Sequence, residues 1–294
     1  MRVTNNMLIN NLKRNLSHNL GKMQTMQNQL ATGKRISKPS DDPVGIVDSL
    51  RFSTRVRENM QYQENVTDAM GFLSTTETVM GSLNTALTRV YELAIYAANG
   101  SMAHEDRQAL KEEVVQIIDE VKSIANTSHG DKYIFGGTNT TAPPYDEGAT
   151  IPPWNANPDQ IKYEIGKGIV MPVNFTAQEV FKDKDLLGTL DDIVAHMEAD
   201  DTTALGGTDL TLLKENTEQI LSCRAQAGAR INRLEMTLNR LRDQEINFAI
   251  LQSEVDDVDI AETIIDLQNQ ENVYEASLAV GAKIIVPSLV NFLS

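Results

Sequence analysis

Apolar residues recur every seven places over two long stretches of this chain, and that spacing constrains its fold more than any other feature. In the N-terminal half Val66, Leu73, Met80, Leu87 and Ala94 form one row, with Leu83, Val90 and Ala97 three places on from Met80, Leu87 and Ala94. In the C-terminal half Ile220, Ala227, Leu234, Leu241, Phe248 and Val255 form another row, with Ile231 and Leu238 offset from it. Two rows three or four residues apart make a seam along one side of a helix, and a seam must be covered by a partner helix. A helix over about residues 44–98 would run roughly 80 Å at 1.5 Å per residue. The pattern therefore predicts a mainly α fold built as a long, coiled-coil-like helical rod, with N- and C-terminal arms paired.

Composition changes between the arms. Six of the nine prolines and seven of the fifteen aromatic residues lie between Asp131 and Lys184. Inside that segment Ile161 to Gly166 alternates apolar and polar residues, and Ile169 to Phe175 is apolar with β-branched residues. The Gly166-Lys167-Gly168 break between them predicts a hairpin in a small inserted β-rich domain. An insert that leaves and re-enters the same rod requires the two arms to lie side by side. A further helix is expected over about His104 to Thr127, burying Leu110, Val114, Ile117, Ile118, Val121 and Ile124, with Gly130 just beyond its end, and a short one over Leu186 to Met197. The chain thus divides into a terminal helical pair (1–40 with 255–294), a helical rod (41–130 with 187–254) and the insert (131–186).

The two extreme ends are amphipathic and lack a core of their own. Leu8, Leu12, Leu16, Leu20, Met23, Met26 and Leu30 recur at three or four residues, as do Tyr274, Leu278, Gly281, Ile285, Leu289 and Phe292. Charge separates them: residues 1–40 hold seven basic residues and no acid, whereas residues 255–294 carry seven acids against Lys283. Opposite charge favours docking and register, although each exposed ion pair adds only about 0–1 kcal/mol. The apolar stripes must supply most of the association energy.

Several functions are disfavoured. With 26 Lys+Arg against 41 Asp+Glu, net −15, phosphate backbones would repel the chain, so no nucleic-acid role is expected. A single cysteine, Cys223, excludes an intramolecular disulfide or a zinc thiolate cluster and reads as a small packed residue. His18, His104, His129 and His196 are scattered, and no nucleophile elbow, phosphate loop or dinucleotide fingerprint occurs. Asp256-Asp257-x-Asp259 lacks the glycine and terminal glutamate of a calcium loop and reads as a solvated charge cluster. No metal, cofactor or enzymatic activity is expected. The N-terminus lacks the features of a cleavable signal peptide, and Ala276 to Ser294, interrupted by Lys283, Pro287 and Asn291, reads as a partner-seeking helix and not a membrane span.

Residues 30–45 read LATGKRISKPSDDPVG. Gly33 can end one helix, Pro39 and Pro43 interrupt helix formation, and Ser40 or Asp41 can cap the next helix with Pro43 in its first turn. This segment, through Gly33, Arg35, Asp41, Asp42 and Pro43, resembles the turn signature of the flagellin superfamily. ANGS at 98–101 followed by EDR at 105–107, IANTSHGDKYIFGGT at 124–138 and TAPPY at 141–145 make it most similar to the hook-filament junction branch, hook-associated protein three. The resemblance implies a structural subunit exported through the flagellar type III apparatus without a cleaved signal, with an export chaperone covering the C-terminal helix. It implies an extracellular flagellar location and assembly as a ring between the first hook-associated protein and flagellin. The assembly residues would be Leu8, Leu12, Leu16, Leu20, Met23, Leu30, Tyr274, Leu278, Ile285, Leu289 and Phe292. Two other functions stay open: a short flagellin that forms the filament itself, and a type III tip or translocator protein that binds membrane.

Overall fold

The computed structural model describes residues 5–146, 154–155 and 157–284. Seven α-helices occur among them: α1 Asn5–Thr32, α2 Pro43–Ala97, α3 His104–Ala125, α4 Leu186–Glu198, α5 Thr202–Ala204, α6 Leu210–Asp256 and α7 Ile260–Ile284. Two antiparallel hairpins lie between α3 and α4, one of β1 (Ser128–His129) with β2 (Lys132–Tyr133) and one of β3 (Lys162–Gly166) with β4 (Ile169–Pro172). The fold is mainly α, with the small β element where the proline- and aromatic-rich segment placed it. Contacts divide the chain into two compact units, Met1–Glu58 with Glu245–Ser294, and Asn59–Gln244.

The larger, central unit contains most of the core. All eight N-terminal seam residues, from Val66 to Ala97, are fully buried, as are Ile220, Ala227 and Leu234, with Leu241 nearly so. They join one continuous apolar cluster that also takes in Val114, Ile118, Val121 and Ile124 of α3. Arg224 of α6 bonds Glu77 of α2 at 2.5 Å beside this seam. The insert is tied to the same core: Phe135 meets Phe181 edge-on, Trp154 stacks on Phe181, and Arg230 of α6 lies 4.4 Å over the Phe175 ring. Cys223 is packed here, and burial pushes its thiol up to about 11.

Gly130 lies shortly beyond the end of α3, in the β1–β2 turn, and the helix closes on Asn126, whose N–H bonds the Lys122 and Ser123 carbonyls. One local reading needs correction. The Ser40 or Asp41 cap of α2 is supplied by Asp42, as described below.

One end of the central unit is closed by polar contacts. Arg107, almost wholly buried, donates Nε to the Ala97 carbonyl at 2.9 Å and also bonds Asp200, which the chain holds at φ 57° between α4 and α5. His104 Nδ1 lies 2.6 Å from the same carboxylate, and His196 Nδ1 lies 2.7 Å from the buried Asp209. The Asp209 hydrogen bond raises the His196 pKa against the opposing effect of desolvation.

Truncating Leu87 to alanine should cost the central unit about 2–5 kcal/mol in chemical denaturation, whereas the exposed Met236→Ala change should stay within about 0.5 kcal/mol. Because the folded His196 pKa is raised, the stabilisation from its Asp209 bond is fully present below the ordinary histidine value of about 6.5 and is lost as pH rises through the folded value. Melting temperatures across that range should fall more steeply for the parent than for His196→Gln.

Candidate functional site

The candidate site is the terminal unit, where the two ends of the chain meet. α1 packs along α7, and Gly281 of α7 is buried so close to α1 that a Cβ on it would stand 2.6 Å from Leu12 Cδ2. The helices therefore approach closely at that point. Of the assembly residues expected on α1, Leu12, Leu16, Met23 and Leu30 are half-buried, and Tyr274 on α7 matches them. Leu8, Leu20 and Leu278 are 41%, 53% and 46% exposed. Ile285, Leu289 and Phe292 lie outside the described residues.

Below the helix pair the chain forms a clasp. Gly33, at φ 69°, ends α1 in the left-handed region that favours glycine. The next residues run antiparallel to the break between α6 and α7: Arg35 N donates to Asp256 O at 2.6 Å, and Val258 N to Gly33 O at 3.1 Å, with Lys34 opposite Asp257. Lys34 Nζ reaches Asp257 at 2.7 Å and Asp256 at 3.7 Å. Arg35 Nη2 donates to the Val255 carbonyl at 2.9 Å, satisfying an acceptor at the end of α6. The Asp257 hydrogen bond raises the Lys34 pKa, and that bond together with Ser253 lowers that of Asp257.

The expected turn motif divides its labour between two neighbouring carboxylates. Asp41 Oδ2 accepts from Lys38 N at 2.9 Å and from Ser37 N and Oγ at 3.2 Å each, so it closes the turn behind it. Asp42 Oδ1 accepts from Val44 N at 3.2 Å and Gly45 N at 2.9 Å, and so caps α2, with Pro43 as its first residue. These N–H groups hold both carboxyls below the usual range. Gly45 is closely hemmed in: a Cβ there would lie 2.5 Å from Asp42 Oδ2 and 2.6 Å from Cδ1 of the buried Ile36, so the capping carboxylate or Ile36 would have to shift.

Sequence reasoning missed the acidic half of the clasp. The Asp256-Asp257-x-Asp259 group is not a solvated cluster: Asp256 is buried, Asp257 pairs with Lys34, and Asp259 caps α7 through Ala261 N at 2.9 Å and Glu262 N at 3.1 Å. The one available signal was an Asp-x-x-Glu start to an apolar stretch. The opposite net charges of the ends are also used sparingly. Among the described residues, Lys34 alone forms ion pairs between the two ends, and none joins α1 to α7. No group of three His, Cys, Asp or Glu side chains there could hold a metal ion, and no helix there is long and apolar enough to cross a membrane.

Residues 3–140 match the bacterial flagellin N-terminal helical region and residues 210–293 the bacterial flagellin C-terminal helical region, together well over half of the chain. The chain belongs to the flagellin family. This is a family of structural components of the bacterial flagellum. The flagellar hook-associated protein 3 of Escherichia coli is 27% identical over 304 residues, spanning 94% of this chain and 95% of that protein. The flagellin of Bacillus subtilis is 26% identical, spanning 96% of each. The fold is shared with the crystal structures of Bacillus cereus FlgL (TM-score 0.60, 23% identity, 69% of this chain and 99% of that one) and of the flagellar junction protein FlgL from Legionella pneumophila (TM-score 0.59, 16% identity, 71% and 100%).

For this flagellin-family chain the clasp should be acid-sensitive. Stabilisation by the lowered carboxyls of Asp41, Asp42 and Asp257 is present above the ordinary carboxylate value of about 4 and lost as pH falls through their folded values. Proteolysis within residues 33–42 should therefore rise sharply below about pH 4. Asp42→Ala should open the same segment at neutral pH, whereas Asp42→Asn, which keeps the capping oxygen, should not.

Proposed function

We propose that this protein is the structural subunit joining the flagellar hook to the flagellin filament, and that it works by helix-helix assembly of its paired ends. The observation that carries this reading is where unburied apolar surface lies. Among the described residues the longer central unit leaves eight large apolar side chains open, whereas the smaller terminal unit exposes fifteen, Leu8, Leu20, Val47, Ile250, Ile265 and Val280 among them. Apolar surface concentrated in one region of a folded chain marks a binding surface. A subunit whose function is to be built into a larger object needs this division between a finished body and unfinished ends.

On this reading residues 1–40 and 255–294 form an inner tube domain, residues 41–130 and 187–254 a helical rod domain, and residues 131–186 the outward insert. The terminal unit extends further than that division, along α2 to Glu58 and along α6 from Glu245. Its partners are copies of itself in a ring, the first hook-associated protein on the hook side and flagellin on the other, outside the cell. Passage there is through the type III export apparatus, with a chaperone covering the C-terminal stripe beforehand. The short proline-rich centre and the similarity to hook-associated protein 3 along nearly the whole chain support a junction over a filament subunit. The B. subtilis flagellin similarity keeps a short filament subunit as the alternative.

Deleting the gene should leave hooks without filaments and flagellin shed into the medium as monomer, seen by electron microscopy and assay of the medium. Loss of the filament subunit itself would identify a flagellin instead. Leu12→Asp should be exported, keep its central unit folded by circular dichroism, and fail to retain filaments. A Leu12→Asp strain that swims as the parent does would refute assembly through the paired ends.

A further inference from the structure

Four helix ends of the central unit meet at one corner, and titratable side chains close it. Arg107, in the first turn of α3, reaches the end of α2 through the Ala97 carbonyl and the chain leaving α4 through Asp200. His104 adds a second bond to Asp200. His196, in the last turn of α4, bonds Asp209, the last residue of a π-helical turn, Leu205–Asp209, that runs straight into α6. The Asp209 side chain is 3% exposed, and among the described residues His196 is the one basic side chain paired with it.

α4 depends on this corner. Its apolar face is fully buried through Leu186, Leu190, Ile193 and Met197, yet a helix of 13 residues is marginal unless it is docked. Asp185 and Asp200, the two non-glycine residues at positive φ among those described, stand at its two ends, at 47° and 57°. A left-handed aspartate persists only where its surroundings hold it. The charges facing His196 are mostly acidic. The Asp209 hydrogen bond, and after it the charges of Asp209, Asp201 and Asp192, favour the imidazolium against the opposing effect of desolvation. On α3, Arg107 and His104 are taken up by Asp200, Lys111 lies 3.8 Å from Glu198 and 3.9 Å from Glu112, and Glu105 and Asp106 are exposed. From the end of α2 come the carbonyl groups of Ala97 and Asn99. Once the imidazolium loses its proton, Asp209 remains buried with a neutral hydrogen bond and no counter-charge, an unfavourable state for an interior carboxylate.

We propose that the His196–Asp209 pair is a proton-operated latch on α4. With the imidazole charged, α4 stays seated on α3; with it neutral, the stretch from Leu186 to Asp209 opens locally while the α2–α6 seam stays closed. The seam does not share this sensitivity, because its rows are apolar and run through two long helices. Opening uncovers the buried face of α4, so the central unit gains an apolar surface whose exposure follows pH between about 5 and 8, the range in which histidine changes charge.

Hydrogen exchange read by mass spectrometry on the full-length chain tests this, at about pH 5.5 and about pH 8, with rates corrected for the intrinsic effect of pH. In the parent, protection of residues 186–199 should fall at least threefold, roughly, at the higher pH, while that of residues 66–97 stays unchanged. His196→Gln, uncharged at both values, should exchange over α4 at the parent's high-pH level throughout. His129→Gln, which alters a ring packed against Phe72 and Thr75, should keep the pH difference. NMR should place the protonation midpoint of His196 in the parent where protection of α4 is lost. The proposal is overturned by an α4 that exchanges alike at both pH values, by one that opens only together with the seam, or by a loss of protection that follows a different histidine. A folded His196→Gln chain that retains the difference, or a His129→Gln chain that loses it, overturns it too. The first three outcomes are read on the parent, so they stand even where His196→Gln fails to fold.

Discussion

The terminal unit depends on one short piece of main chain. Gly33 to Arg35 lies against Asp256 to Val258, joining residues as far apart as Lys34 and Asp257, 223 positions distant in sequence. Neither α1 nor α7 has a face it can bury alone, and neither can find the other by local folding. The clasp supplies the constraint: it ends α1, breaks α6 from α7, and starts the two end helices from adjoining points. The left-handed Gly33, the lysine between two aspartates and the arginine on the α6 carbonyl are parts of one device.

That device also explains what could be read from the sequence and what could not. The seam from Val66 to Ala97 was legible because a seven-residue period records burial within a single helix, and all of those positions are fully buried. The β3–β4 hairpin was legible for the same reason, through alternation and its glycine break. The cap of α2 was not, because three polar residues in a row, Ser40, Asp41 and Asp42, offer several candidates. The choice fell to Asp42 once Asp41 had turned back to Ser37 and Lys38. Asp256 and Asp257 were unreadable because their partner lies at the far end of the chain. Asp200 and Asp209 are similar cases, held by Arg107, His104 and His196 from other elements. Period is a local property, whereas a polar contact between distant segments leaves no period.

Of the candidate site, the stripe on α1 was legible as a stripe but not as a half-covered one. Leu12 and Leu16 turn toward α7 while Leu8 and Leu20 remain open, and periodicity treats the four alike. The apolar residues of α7 spread over more than one face, with Ile264 and Ile265 exposed beyond the contact with α1. A helix apolar on several faces is expected to be enclosed on several sides. One α1 cannot do this, and the excess is what neighbouring molecules can bury.

The distance between the two halves of the clasp also has a meaning in time. At a synthesis rate of about 5–20 residues per second, α1 leaves the ribosome roughly 10–45 s before Asp257 exists for Lys34 to meet. During that interval an amphipathic helix has no partner and every opportunity to find a wrong one. The Asn- and Gln-rich composition of α1, and the absence of acid that leaves its copies mutually repelling, reduce that hazard. A stickier first helix would strengthen the finished pair but aggregate before its partner was made.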